Sequence, residues 1–208
     1  MDVKRAWGLR AAWTVLIVAL LTGLIFAGWQ LIGSNQLGVN RAQSRLANFE
    51  STCATTPEPT LEAGNVIGVL RLPSLDERSW PIVVGVDQAQ LAGGVGWYPN
   101  TAQPGAIGNT ALAGYRLTNG QPFADLLQLN VGDEVIVESC RREYRYQVVV
   151  APRDLVVDET DGWVLDGVPG EPGQLPSAKM LTLTTSQDLL PTGDRAVGFA
   201  RLVAEAER

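Results

Sequence analysis

Ser186 closes the run LTLTTS, and Arg195 follows nine residues later. A hydroxyl at the open end of a buried strand is a candidate nucleophile for a carbonyl, provided a base takes its proton. The planar fork of Arg195 can donate to a peptide carbonyl or a C-terminal carboxylate, or can be spent on a local ion pair with Asp188 or Asp194. The missing part is the proton acceptor. The 208-residue chain contains no histidine, the commonest general base near neutral pH. Carboxylates at Asp188 and Asp194 are weak bases, with ordinary pKa values near 4, unless they are desolvated, and a guanidinium neighbour opposes that. Lys179 lies seven residues upstream, roughly 23 Å away along an extended strand. From these residues, a structural Ser186 is easier to account for than a catalytic one.

The elements that must carry these residues are mostly short apolar runs. Strands are predicted at 66–72, 80–84, 110–113, 134–138, 144–157, 181–185 and 196–203, where Val, Ile and Leu dominate and RREYRYQVVV alternates polar with apolar. The segments NVGD and ESCRR read as turns. Two short helices are expected, one after Asp87 as N-cap through 88–91, the other from Pro122 through PFADLLQL. Many short strands with brief helices define an all-β class, a closed or nearly closed β-barrel. The Gly-, Pro- and acid-rich stretch 158–178 is a long loop just before the Ser186 strand, and loops of that length carry function. It is expected to form one wall of a groove, with the strand end at Thr184 and Thr185 forming the other and Arg195 at its end.

Ahead of the barrel, residues 1–10 carry Lys4, Arg5 and Arg10, and a charge-free apolar run occupies 11–32. At about 1.5 Å per residue this run reaches roughly 33 Å, enough for a bilayer core. Basic residues before it keep the N-terminus in the cytoplasm and export the rest. Trp13 and Trp29 sit near its two ends. A single-pass transmembrane helix is thus expected, followed by an extracellular linker at 33–63 with a short helix in GVNRAQSRLANFES, and a barrel domain at 64–205. The whole chain has net charge −6, and without Asp2, Lys4, Arg5 and Arg10 it has −8, which excludes a nucleic-acid partner needing a basic stripe. Cys53 and Cys140, the two cysteines, read outside the membrane as one disulfide or as two separate thiols. With no histidine and no zinc-type cysteine spacing, no metal or other cofactor is expected.

Several spaced pieces resemble one family. GVLRLPSL, WPIVVGV, LAGGVGWYPNTAQPGAIGNTALAGYR, FADLLQLNVGDEVIV and LTLTTSQDLLPTGDR occur in the order of the sortases, membrane-anchored cysteine transpeptidases of the Gram-positive cell envelope. The pattern is most similar to the actinobacterial housekeeping, class E-like type. The resemblance implies a barrel of about eight strands and three catalytic positions. A cysteine attacks a sorting-signal carbonyl, a histidine handles the leaving amine, and an arginine stabilises the oxyanion. Carried over, these positions are Ser186, Tyr115 and Arg195. A phenol, ordinarily titrating near 10, starts almost fully protonated and is a poor base. Tyr115 and Trp97 then either fill a vacated site or floor a peptide groove. Three roles follow: a pseudo-sortase that binds a sorting-signal-like peptide or a partner sortase without turnover, an altered transpeptidase or hydrolase using Ser186, and a purely structural envelope protein.

Overall fold

The structure is a computed structural model that describes residues 3–28, 33–56, 58–188 and 192–208, with the side chains of 3–12 and of Ala27 left out. Nine strands form one sheet: β1 Val66–Arg71, β2 Ser79–Val84, β3 Val95–Trp97, β4 Gly108–Ala113, β5 Glu134–Glu138, β6 Arg142–Val150, β7 Val156–Asp158, β8 Lys179–Ser186 and β9 Asp194–Glu207. Their order is β6-β5-β1-β2-β3-β4-β8-β9-β7, and an extra β6–β9 pairing joins the ends. Eight strands therefore close a barrel, and β7 adds to the first residues of β9. The long β9 makes closure possible, because its N-terminal half pairs with β8 and its C-terminal part with β6.

Alternation fills the barrel. Leu70, Ile82, Leu112, Val135, Tyr146, Leu181 and Leu183 point inward with almost no solvent contact. A second apolar cluster of Val157, Val164, Val197 and Phe199 lies apart from that core, beneath the segment after β7. Buried polar groups tie this segment down. The Asn109 amide donates to the carbonyls of Val164 (3.0 Å) and Asp166 (3.1 Å), and the Thr182 hydroxyl bonds Asn109 at 2.7 Å.

Several expected elements change form. The run 144–157 is two strands, because the chain turns at 151–154 and Pro152 has no N–H for a ladder. The Pro152 ring lies so close to β9 that a Cβ at Gly198 would stand 2.6 Å from it. The helix expected from Pro122 reduces to a 3-10 turn, Leu126–Gln128. Phe123, Leu126 and Leu129 are all fully buried, and a three-residue repeat suits the tighter turn. Asp87 precedes the short α3, Gln88–Leu91, without a side-chain cap; its carbonyl accepts from Gln90 and Leu91 instead. Strand β3, three residues in a glycine-rich stretch, had no sequence signal of its own.

Two helices precede the barrel: α1 at Val3–Gly28 and α2 at Ser34–Thr55. Among the described residues no helix is long and apolar enough to cross a membrane. The expected span 11–32 runs into residues outside the described ones, Trp29 included. The connector helix is longer than the short helix expected, at 22 residues, because it packs on the barrel. The Arg45 guanidinium donates to the carbonyls of Ala89 (3.2 Å), Gln90 (3.0 Å), Ala92 (2.9 Å) and Gly93 (3.2 Å), closing the end of α3. Gly38 sits against the loop after β4, where a Cβ would meet the Asn119 backbone at 2.1 Å. A disulfide joins Cys53 of α2 to Cys140 in the β5–β6 turn, so the two cysteines are not separate thiols.

Candidate functional site

Strands β4 and β8 run parallel, with Ala113 opposite Thr184, so both chains leave the sheet on one side of the barrel. That places Tyr115, two residues past β4, beside Ser186, the last residue of β8. Ser186 in turn faces Arg195 across the antiparallel β8–β9 pair. Ser186, Tyr115, Arg195, Thr184 and Thr185 line one cavity of about 480 Å³, a size suited to a small ligand or a few peptide residues.

The floor is rigid for identifiable reasons. Gly114 donates its N–H to the Thr184 carbonyl at 3.2 Å and accepts from the Thr185 hydroxyl at 2.8 Å. A side chain at Gly114 would collide with the Phe123 ring, 2.6 Å away, so the close approach itself requires glycine. The Tyr115 carbonyl then accepts from the Phe123 N–H at 3.0 Å. Thr185 thus spends its hydroxyl on the scaffold.

Arg195 is held by an acid the sequence did not single out. Its Nη2 lies 2.7 Å from Glu159 Oε2, while Nη1 donates to the carbonyls of Thr192 (3.0 Å) and Asp194 (3.2 Å). The expected ion pair with Asp188 or Asp194 is therefore replaced: Asp194 offers only its carbonyl, and the Asp188 carboxylate accepts from the Thr192 hydroxyl at 3.0 Å. Glu159 belongs to the 158–178 stretch, but no residue of that stretch lines this cavity. The groove wall expected there is formed instead by Val86, Leu91, Tyr98 and residues 113–118.

Trp97 also moves out of the site. It is buried in the core and its indole N–H donates to the Ala102 carbonyl at 3.0 Å. Strand alternation turns the next residue, Tyr98, into the cavity instead. Burial pushes the Tyr98 hydroxyl above its ordinary pKa, with the Arg195 charge pulling partly back. Arg116 is a second cation the sequence reading left without a role. Its Nη1 donates to the carbonyl of Gln187 and, at 3.5 Å, to that of Ser186, fixing the end of β8. Its place in AGYR, directly after Tyr115, was the available signal.

The Ser186 hydroxyl itself makes no hydrogen bond with any described residue. No carboxylate, amine or phenol among the described residues is hydrogen-bonded to it, although Asp188, Tyr98 and Tyr115 line the same cavity. Lys179 begins β8, the strand that Ser186 ends, and it is ion-paired with Glu205. Chemically the cavity offers donors (two guanidinium groups and several hydroxyls) over an apolar wall, an arrangement that binds carbonyl or carboxylate oxygens.

The profile of the sortase domain family matches residues 70–207. The chain belongs to the sortase family. Sortase SrtE1 of Streptomyces coelicolor is 29% identical over 209 residues, covering 96% of this chain and 58% of that relative, so the chain spans little more than half its length. Sortase D of Bacillus subtilis is 27% identical over 157 residues, 68% of this chain and 76% of the relative. Among solved structures, sortase E from Streptomyces avermitilis superposes with TM-score 0.63 at 32% identity, covering 70% of this chain and 93% of that one. Sortase E1 from Streptomyces coelicolor, solved with a tripeptide in the active site, gives TM-score 0.62 at 31% identity, covering 69% and 91%. The sortase barrel and the transpeptidase fold follow directly.

Proposed function

We propose that this sortase-family protein is a pseudoenzyme of the cell envelope that holds a sorting-signal-like peptide at the Ser186 cavity without cleaving it. The observation that carries the reading is the bare Ser186 hydroxyl. It stands at the position the family resemblance gives to a cysteine, in a cavity with two arginines and no imidazole, and it is hydrogen-bonded to no described residue. A thiol has an ordinary pKa near 8.5 and supplies some thiolate at neutral pH, whereas an alcohol does not. Losing one member of a nucleophile–base unit commonly costs about 10⁴-fold or more in rate, and here both the thiol and the imidazole are replaced. The tripeptide in the solved relative supports the size and kind of ligand. The similarity to sortase E proteins supports the class E-like assignment.

Anchoring through residues 11–32, with the barrel outside the cell, belongs to the same proposal. It rests on the basic residues before a charge-free apolar run and on the exposed side chains of α1 from Trp13 to Phe26. The test uses the full chain and sorting-signal peptides of the LPxTG type, with binding and cleavage measured in parallel. The wild type binds and does not cleave. Ser186→Cys combined with Tyr115→His restores cleavage. A wild-type chain that cleaves, or one that fails to bind any such peptide, overturns the proposal.

A further inference from the structure

A second cavity, of about 340 Å³, opens at the opposite end of β8. Met180 lines it, six residues before Ser186 and so roughly 20 Å from that hydroxyl along the strand. Its walls are Val149, Val150 and Phe199 of the sheet and Val168, Pro169 and Pro176 of the covering loop. The loop is no loose flap, because Asn109 and Thr182 hold its 3-10 turn, Gly162–Leu165, through buried hydrogen bonds. Phe199 is further backed by Trp163, with ring centroids 6.2 Å apart.

One charged side chain borders this apolar hollow. Arg201 faces Met180 across the β8–β9 pair. It makes no hydrogen bond or ion pair with any described residue, whereas nearby arginines are matched to acids. Arg142 pairs with Glu205 and Arg208 with Glu138 at 3.2 Å, and Arg145 pairs with Glu134 at the same distance. No Asp or Glu lines the cavity among the described residues.

We infer that this cavity is a binding site for an aliphatic carboxylate, with the hydrocarbon chain against Phe199 and Met180 and the carboxylate on the Arg201 guanidinium. An apolar hollow gains from every methylene that leaves water. A lone cation at its rim selects an anionic head over a cationic one. The volume is at the small end of ligand pockets, about 300–1,000 Å³, so the chain is a short or medium one. The site is separate from the Ser186 cavity and does not depend on whether that cavity is catalytic.

The chain has only two methionines, Met1 and Met180, so methyl-labelled methionine gives a direct reporter. The full chain in lipid nanodiscs is titrated with sodium butyrate, hexanoate and octanoate while the Met180 methyl signal, assigned with Met180→Leu, is followed by NMR. The expected result is a saturable shift whose affinity rises about three- to fourfold per added methylene. Arg201→Gln weakens octanoate about fivefold or more, Arg201→Lys keeps most of it, and Ser177→Trp, which fills the cavity, abolishes the shift. Octylammonium competes poorly. The inference is overturned by a Met180 signal that does not saturate at any chain length, by equal affinity in Arg201→Gln, or by octylammonium binding as well as octanoate.

Discussion

Breaking the Cys53–Cys140 bond should release α2 from the barrel and lower stability substantially. The bond closes a loop of 87 residues in sequence separation. In the chain-entropy account a loop of that length restricts the unfolded ensemble by about 4–5 kcal/mol. Such a loss is a large part of the roughly 5–15 kcal/mol that holds a typical domain together. The native state contributes in the same direction, since the bond pins the C-terminal end of the helix whose middle is held by Arg45 and whose first turns pack at Gly38. The assay is urea denaturation of Cys53→Ser/Cys140→Ser beside the oxidised wild type, with intact mass confirming the bond in the latter. At a slope of about 2 kcal/mol per molar urea, the midpoint falls by about 2 M. A midpoint that moves by less than about 0.5 M would show that the cross-link does not constrain the unfolded chain as this reasoning requires.

The Gly38 contact makes a prediction of opposite sign to helix propensity. Gly38→Ala should gain roughly 1 kcal/mol if only helix preference counted, but the Cβ would meet the Asn119 backbone, so a net loss of about 1–3 kcal/mol is expected. Thermal or urea unfolding reads the sign directly. Tyr146 gives a pH test: burial pushes its hydroxyl up to about 12, above the ordinary value near 10. The folded state therefore keeps the proton longer than the unfolded chain. Stability is fully present below about pH 10 and falls as pH rises toward about 12, by about 2–3 kcal/mol in all. Tyr146→Phe should flatten that slope, and an unchanged slope in the variant would refute the assignment.

The barrel was readable because its signals are local. Alternation marks β5 and β6, the apolar run 181–185 marks β8, and NVGD and ESCRR mark the turns between strands. Three things were not local. The break between β6 and β7 depends on Pro152 packing over Gly198, a contact between residues far apart in sequence. The full length of α2 depends on what it packs against, since its own sequence is only weakly amphipathic. The strand β3 is too short to show a period. At the site, Ser186, Tyr115 and Arg195 line one cavity; Tyr115 was singled out by the family resemblance and not by spacing. The ion-pair partner of Arg195 did not follow, because Glu159 reaches it from the β7–β8 segment. Of the two places left open for Trp97, the structure puts it in the core, and the next residue, Tyr98, lines the cavity.

Proton transfer at Ser186 decides the account, and acyl transfer to its oxygen can be looked for directly. The full chain is incubated with an LPxTG-type peptide and no amine acceptor, quenched in acid, and weighed as intact protein. An unchanged mass is predicted, at times long enough for the Ser186→Cys/Tyr115→His variant to show its acyl adduct. A peptide adduct on the wild-type chain, mapped to Ser186 and absent in Ser186→Ala, would contradict it.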